Sequence, residues 1–160
     1  LAPELPAWER GPETGLVSHR SAAALYGIGH LPADVHEFTL PKRRQSRRPD
    51  VRLHRGRTNE GWIRLRGLPV TLPSRIAADL LAERDDPQAV GQLIADALRP
   101  VYDSPGSVAE AIAPYAAHFG LRRGDGLALL GWLLELSGDP GQSAWLAEAG
   151  SGCKRAESAR

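Results

Sequence analysis

The sequence has little of several residue types, and each shortage excludes a class of protein. Its 160 residues include one cysteine, no methionine and only 6% aromatic residues. The single Cys153 excludes an internal disulfide and a cysteine-rich metal site. No apolar run approaches the roughly 20 residues that span a bilayer, and the acidic, proline-containing start is unlike a secretory signal. These shortages favour a cytoplasmic protein without a membrane segment.

Familiar catalytic and metal-binding motifs are also missing. The five histidines show neither H-x-x-x-H nor H-E-x-x-H spacing, and the sequence has no phosphate-binding loop and no G-x-S-x-G elbow. Asp50 and Glu60 resemble the acidic pair of a metal-dependent nuclease, but the lysine that such a site needs is absent. A metal site of His30, Asp34 and His36 is a remaining alternative. We predict a protein that is not an enzyme and that holds no metal or cofactor.

Positive charge is concentrated in one part of a nearly neutral chain. The net charge is +1, yet residues 42–66 contain ten Lys/Arg and two acids, a net charge of +8. Residues 1–41 have a net charge of −3 and residues 67–160 a net charge of −4. Such a distribution predicts one basic face that attracts acidic partners. A merely solvated surface is the alternative. Residues 40–57, "LPKRRQSRRPDVRLHRGR", are called the basic run below.

The hydrophobic pattern changes from strands to helices along the chain. A short helix is predicted within residues 17–29, and strands at residues 36–41, 50–55 and 61–67. Helices with inward apolar stripes follow, with Ile76 and Leu80 inward in one and Val90 and Ile94 in the next. Aspartate caps are expected before "PQAVGQ" and "GLALLG", and a capping box is expected to start a helix at Ser107. The sequence therefore predicts an α+β fold. It consists of a small antiparallel or mixed sheet of about three to four strands, a short N-terminal helix and a C-terminal group of four to five helices.

Alternation within the predicted strands separates a buried face from a solvated one. It places Phe38 and Leu40 inward and Glu37 and Thr39 outward. In the next two strands it places Val51, Leu53, Ile63 and Leu65 inward. The predicted solvated face then collects Arg52, His54, Trp62, Arg64 and Arg66. This pattern indicates that arginines lie beside an aromatic ring on one rigid sheet.

We expect the basic surface to bind nucleic acid or an acidic partner. Four arginines of the basic run are suited to phosphate contacts, which position a protein without reading sequence. Arginines on the sheet would extend that surface, and a tryptophan ring can stack on a base. The candidate binding residues are Lys42, Arg43, Arg44, Arg47, Arg48, Arg52, Arg55, Arg64, Arg66 and Trp62.

Three segments resemble the AbiEi-type antitoxins of type IV toxin–antitoxin systems, especially the actinobacterial ones. These antitoxins have a short S-x-x-S-A-A-x-L-x-G helix, an "LHR" strand after a basic run, and "GLPVT" leading through a proline into a helix that ends in "DL". The resemblance covers about residues 15–100. The matching residues are Ser18, His19, Ser21, Ala22, Ala23, Leu25, Gly27, Leu53, His54, Arg55, Gly67, Pro69, Val70, Thr71, Pro73, Asp79 and Leu80.

The resemblance implies an antitoxin and transcriptional regulator. Such proteins have an N-terminal winged helix-turn-helix that represses their own operon, and a C-terminal domain that opposes a nucleotidyltransferase toxin without a stable complex. Their partners would be operator DNA or RNA and, functionally, the toxin. The alternatives are a nucleic-acid-binding regulator unrelated to a toxin and a degenerate nuclease-associated protein.

The resemblance also implies a domain organisation. Residues 1–15 would form an irregular segment, residues 16–150 the AbiEi-like C-terminal antitoxin domain, and residues 151–160 a disordered tail. The chain begins with leucine and has no methionine. We therefore expect that a winged helix-turn-helix is missing upstream, and that sequence-specific DNA reading needs that missing domain.

Overall fold

The structure, a computed structural model, describes residues 14–158 and the side chains of residues 14–152. The expected α+β class is confirmed. Within the described residues the sheet has five strands rather than three to four, and there are six α-helices and one 3₁₀ helix. The irregular segment predicted for residues 1–15 lies outside the described residues up to residue 13.

The described chain divides into two compact units, both of which include parts of the predicted domain 16–150. The sheet unit contains the described residues up to Gly27 and Leu31–Leu72. The helical unit contains Ile28–His30 and the described residues from Pro73 onward.

Five short strands and one helix build the sheet unit. Their bounds are β1 Leu16–Val17, α1 His19–Tyr26, β2 His36–Leu40, β3 Val51–Arg55, β4 Trp62–Leu65 and β5 Leu68–Thr71. The strand order is β3-β2-β1-β5-β4, so β3 and β4 are the outer strands. The sheet is mixed, because β1 pairs antiparallel with β2 and parallel with β5, while β2 and β3 are parallel. The three strands predicted from alternation are confirmed.

The hairpin between β4 and β5 turns through two residues with positive φ. Arg66 has a φ of 51° and Gly67 a φ of 77°. Positive φ at both central positions is the geometry of a type I′ turn, whose twist matches that of the strands. Arg64 stabilises the turn, since its Nη1 donates to the carbonyl oxygen of Gly67 at 3.1 Å.

The predicted division of the sheet into buried and solvated faces is wrong for β2 and β4. Glu37 and Thr39 were expected in solvent, but both are buried, whereas Phe38 is only half-buried. On the outer strand β4, Ile63 was expected inside but is exposed. For β2 the cause is α1, which packs against β2 and β5 and covers the face that alternation assigned to solvent.

The helical unit contains the helices that the apolar stripes predicted. Their bounds are α2 Pro73–Ala82, α3 Pro87–Leu98, α4 Pro105–Ile112, the 3₁₀ helix Ala113–Phe119, α5 Gly126–Ser137 and α6 Gln142–Ser158. The predicted inward side chains of α2 and α3 are buried, among them Ile76, Leu80, Val90 and Ile94. Large side chains of α5 complete this core, including Leu129, Leu130, Leu133 and Leu134.

Short polar side chains and prolines set the starts of these helices. Asp86 and Asp125 accept hydrogen bonds from the first-turn amides of α3 and α5, as expected of caps. The capping box predicted at Ser107 is wrong, since α4 begins earlier. Ser104 is the N-cap and its Oγ accepts from the Ser107 amide at 3.2 Å. Pro105 follows at the first position, where its missing N–H costs nothing.

The last helix reaches into the segment that composition assigned to a tail. α6 extends to Ser158, through most of residues 151–160. The stretch "CKRAES" contains alanine, lysine, arginine and glutamate, which favour a helix once one is established. Among the helices of residues 14–158, none combines the length and the apolar character that crossing a membrane requires.

Close backbone contacts in the helical unit depend on two glycines. A Cβ added at Gly91 of α3 would overlap the backbone carbonyl oxygen of Leu133 in α5. A Cβ at Gly126 would likewise overlap the carbonyl oxygen of Ala109 in α4. Because backbone atoms cannot rotate out of the way as a side chain can, both positions require glycine for the observed helix spacing.

We expect Gly91→Ala to lower the free energy of unfolding by about 2–3 kcal/mol, because the methyl group forces α3 and α5 apart. Gly106→Ala in α4 is the matched control. Nothing lies within 4 Å of a Cβ there, and removing a helical glycine should stabilise by about 0.5 kcal/mol. Urea denaturation followed by far-UV circular dichroism compares the two variants. Equal stabilities would show that the helix spacing does not depend on Gly91.

Candidate nucleic-acid interface

The basic run begins at the end of β2, crosses a loop and continues through β3. The loop, residues 41–50, joins two parallel neighbouring strands, so it must return along the length of β2. At roughly 3.3 Å per residue, the five-residue strand spans about 16 Å. The return is complete at Asp50, whose carbonyl oxygen accepts the amide of His36 at 2.7 Å. The loop cations are therefore spread along the strand instead of being gathered at one point.

Two ion pairs neutralise part of the run's positive charge. Arg48 binds Asp50 through both arms of the guanidinium group, Nε to Oδ1 at 3.0 Å and Nη2 to Oδ2 at 2.6 Å. The hydrogen bonds and charge of Arg48 hold the pKa of Asp50 below its ordinary value. Arg57 lies 3.3 Å from Glu60 in a pair exposed to solvent on both sides, and such pairs contribute little to stability.

Among the described side chains, five further cations of the basic run have no carboxylate partner. Within the described side chains, no acid lies within ion-pair distance of the five residues that share this property. All five are exposed. They are Lys42, Arg43, Arg44, Arg47 and Arg55. Together they form an unneutralised line of positive charge along one loop and the end of β3.

The sheet does not bring the other candidate residues to this line. Register places Arg52, Trp62 and Arg64 on one face of the sheet, as alternation predicted. However, Arg52 is on β3 and the other two are on β4, at opposite edges of five strands. Four strand spacings separate them, roughly 19 Å. Arg66 lies with the β4 residues in the hairpin turn. Trp62 is half-buried, and the two groups do not form one continuous patch.

Pockets flank the line of charge in the sheet unit. A pocket of about 610 Å³ lies where β2 and β3 end and is lined by Pro41, Arg55, Gly56, Arg57, Thr58 and Asn59. A smaller pocket of about 100 Å³ lies over the start of these strands. It is lined by two arginines and two acids, with Pro32 and Val35, so its charges balance. Those four are Arg20, Arg52, Asp34 and Glu37.

Glu37 forms the centre of a buried polar cluster that the sequence did not predict. Its Oε2 accepts the backbone amide of Arg20 at 3.1 Å, and its Oε1 accepts from Nε2 of His54 at 3.1 Å. Arg52 approaches the same Oε1 at 3.8 Å. Ser21 completes the clamp, since its hydroxyl accepts the Glu37 amide and donates to the Val35 carbonyl. The carboxylate thus links α1, β2 and β3.

Two histidines extend this cluster. The rings of His19 and His54 stack with centroids 3.7 Å apart and an angle of 13° between their planes. Ser18 lies 2.9 Å from Nδ1 of His19 and accepts a hydrogen bond from Thr39. His19 has a φ of 53°, a left-handed conformation that costs an L-residue roughly 1–2 kcal/mol. Stacking on His54 and the contact with Ser18 hold it in place.

This cluster contains serine, histidine and glutamate, but not in the geometry of a catalytic relay. A relay needs the acid to orient the histidine that activates the serine. Here Glu37 contacts His54, whereas Ser18 contacts His19. Ser18 is also fully buried, so its hydroxyl is closed to a substrate. These contacts attach α1 to the sheet.

Burial and hydrogen bonding act on the Glu37 carboxyl group in opposite directions. Burial alone would raise its pKa, but the hydrogen bond from His54, the charge of His19 and the Arg20 amide outweigh it. The net effect is a pKa below the ordinary value of 4.5. The sequence contained one indication of this cluster, since His19 and His54 lie in the motifs that carry the resemblance. The alternative metal site of His30, Asp34 and His36 is not formed, because among the described residues their ligand atoms do not lie close enough together to share an ion.

The lowered pKa makes a prediction about pH. A carboxyl group with a lower pKa in the folded state stabilises the fold above its unfolded pKa, and that stabilisation is lost as pH falls through the folded pKa. We expect wild-type stability to fall below about pH 4.5. Glu37→Gln should be less stable at pH 7 by about 1–3 kcal/mol, because buried donors lose a charged acceptor. Its stability should also change less than that of wild type as the pH is lowered.

Thermal denaturation between about pH 3 and pH 7, with NMR titration of the Arg20 amide, measures both effects. Glu60→Gln is the control, because its carboxylate is exposed. The chemical shift of the Arg20 amide should change with pH in wild type but not in Glu37→Gln. The same pH dependence in both proteins would show that the Glu37 carboxyl group is not the group that titrates.

No model of a known protein family matches the chain, and no curated protein matches it at a significant level. Surface charge and the geometry of the sheet unit are therefore the basis for a functional proposal.

Proposed function

We propose that this chain is the effector domain of a type IV antitoxin of the AbiEi kind, a cytoplasmic regulator that contacts nucleic acid through the basic run. Its role is that of a binding protein rather than an enzyme. The observation that carries the proposal is the line of exposed cations without carboxylate partners, from Lys42 to Arg47 and at Arg55. The resemblance of residues 15–100 supplies the antitoxin context.

Mutual repulsion distinguishes these cations from an ordinary solvated face. Five positive charges lie along one loop and the adjoining strand end, and the one acid between them, Asp50, is already paired with Arg48. A ligand that carries regularly spaced negative charge relieves that repulsion and releases bound counterions. A nucleic-acid backbone is such a ligand. The loop returns over about 16 Å, so its cations can meet several successive phosphates.

Composition favours phosphate over an acidic protein surface. Protein interfaces derive most of their affinity from a few buried aromatic or aliphatic side chains. Between Pro41 and Asp50 the loop contains no aromatic and no aliphatic residue, only Lys, Arg, Gln, Ser, Pro and Asp. It can supply charge and hydrogen bonds but no apolar centre, which is the composition of a surface that contacts phosphates and sugars.

Nucleic-acid binding is also compatible with opposing a nucleotidyltransferase toxin. A toxin of that class acts on nucleotides or nucleic acid. An antitoxin that occupies the same nucleic acid would oppose it without a stable protein complex, as the resemblance implies. In this view the Glu37 cluster keeps α1, β2 and β3 in place, and the basic run makes the contact.

We expect salt-dependent binding of the chain to duplex DNA and to bulk tRNA. Arg43→Ala with Arg44→Ala should weaken it, because each lost phosphate contact lowers the slope of log K against log salt by about 0.9 for duplex DNA. The double variant should therefore reduce that slope by about 1.8. Fluorescence anisotropy across a salt series measures both the affinity and the slope.

The matched control is Arg122→Ala with Arg123→Ala, another adjacent pair of exposed arginines, in the turn before α5. It removes the same charge outside the basic run, so its slope should equal that of wild type. Equal slopes for both double variants would show that the charge acts only as a diffuse field. No binding at low salt would refute the proposal.

Co-expression tests the antitoxin role separately. We expect the chain to restore growth of cells that produce its cognate nucleotidyltransferase toxin, and the change of Arg43, Arg44, Arg47 and Arg48 to alanine to abolish most of that rescue. Immunoblotting at matched expression levels excludes loss of the protein. Nucleic-acid binding without any rescue would reject the antitoxin role and leave a regulator unrelated to a toxin.

A further inference from the structure

The pocket of about 610 Å³ in the sheet unit lies at one end of the basic run. It exists because β2 and β3 are parallel neighbours whose carboxyl ends meet, with Leu40 paired to Arg55. Gly56 donates to the carbonyl oxygen of Leu40 at 3.0 Å and extends the pairing by one residue. Beyond that point the two chains diverge. Crevices outside the carboxyl ends of parallel strands are common ligand sites in open sheets.

The groups that line this pocket suit a nucleotide. Arg55 and Arg57 offer guanidinium donors for a phosphate. The amide of Asn59 has both a donor and an acceptor, which can pair with the edge of a base. Pro41 adds an apolar ring against which a base can lie. The volume falls within the range of about 300–1,000 Å³ that is typical of small-molecule pockets.

Arg57 is held loosely enough to bind a ligand. Its ion pair with Glu60, at 3.3 Å, is exposed on both sides, with 83% and 65% of the two side chains accessible. An ion pair in such a position contributes little, so a phosphate can replace the carboxylate. Arg55 has no carboxylate partner within the described side chains.

We propose that this pocket binds one unpaired nucleotide of a single-stranded nucleic acid, while the neighbouring phosphates lie along Lys42–Arg48. This inference rests on the proposed nucleic-acid binding and adds the class of ligand. Duplex DNA is read by helices or strands that protrude into a groove. The pocket is an open depression at the strand ends, and a base can lie in it only when that base is unpaired or out of the stack.

Binding of three labelled oligonucleotides of one sequence tests this inference: single-stranded RNA, single-stranded DNA and the DNA duplex. We expect both single strands to bind about tenfold more tightly than the duplex, which is within the range that one well-held base contributes. Asn59→Trp fills the pocket from an exposed position and should reduce single-strand affinity to that of the duplex. Binding of the duplex itself should not change.

Gln88→Trp is the matched control, because Gln88 is exposed on α3, outside the basic run, and does not line the pocket. It should keep the preference for single strands. Asn59→Ala provides a milder change that leaves the pocket open, and it should lose several-fold in single-strand affinity through the missing base contact. Tighter binding of RNA than of single-stranded DNA would indicate that the site also contacts the 2′-hydroxyl group.

Three results would overturn the inference, and they differ in what else they overturn. Equal affinity for single strands and duplex would reject the pocket. If Arg43→Ala with Arg44→Ala weakened both, the proposed function would be kept. Absence of binding to all three oligonucleotides at low salt would reject both. A preference for single strands that survives Asn59→Trp would place the unpaired nucleotide elsewhere and reject this site.

Discussion

The buried carboxylate of Glu37 is the constraint on which the sheet unit depends. A carboxylate removed from water is unfavourable unless hydrogen bonds replace the lost hydration. Here the replacements come from the Arg20 amide at the start of α1 and from His54 on β3. Displacement of either element would leave a buried charge without a partner, which costs far more than a surface contact. Three segments distant in sequence are therefore fixed to one another, and the basic run has both of its ends on this fixed base.

The fixed base explains how an irregular loop can present an ordered line of charge. The loop leaves the sheet at Leu40 and returns to it at Asp50, beside His36. Its path must follow β2, so the cations are distributed along a strand although they belong to no regular element themselves. The same parallel pairing creates the pocket where the strands end. The parallel pairing of β2 and β3 therefore has two results. It spreads the charge along the basic run, and it leaves a pocket at the end of the strands.

Local signals predicted the helical unit well, whereas the faces of the sheet required knowledge of what covers them. The stripe with Ile76 and Leu80 and the cap at Asp125 depend only on neighbouring residues, and both were confirmed. Alternation in β2 placed Leu40 correctly but Glu37 wrongly, because the helix α1 covers the second face through non-local contacts. The exposure of the cations was predictable from their charge. The separation of Arg52 from Trp62 was not, since strand order is invisible in a single sequence.

The two-point attachment of the basic run has a consequence for how such a surface can diversify. Because the hydrogen-bonded pair of β2 and β3 holds the ends of the loop, its length and content are largely independent of folding. Doubling a flexible loop adds only about 0.6 kcal/mol of closure entropy. Insertions or charge changes between Pro41 and Asp50 would therefore alter reach and affinity while the sheet stays intact. The sequence of this loop, and with it the ligand that the surface binds, can therefore vary in evolution while the sheet that holds the loop is preserved.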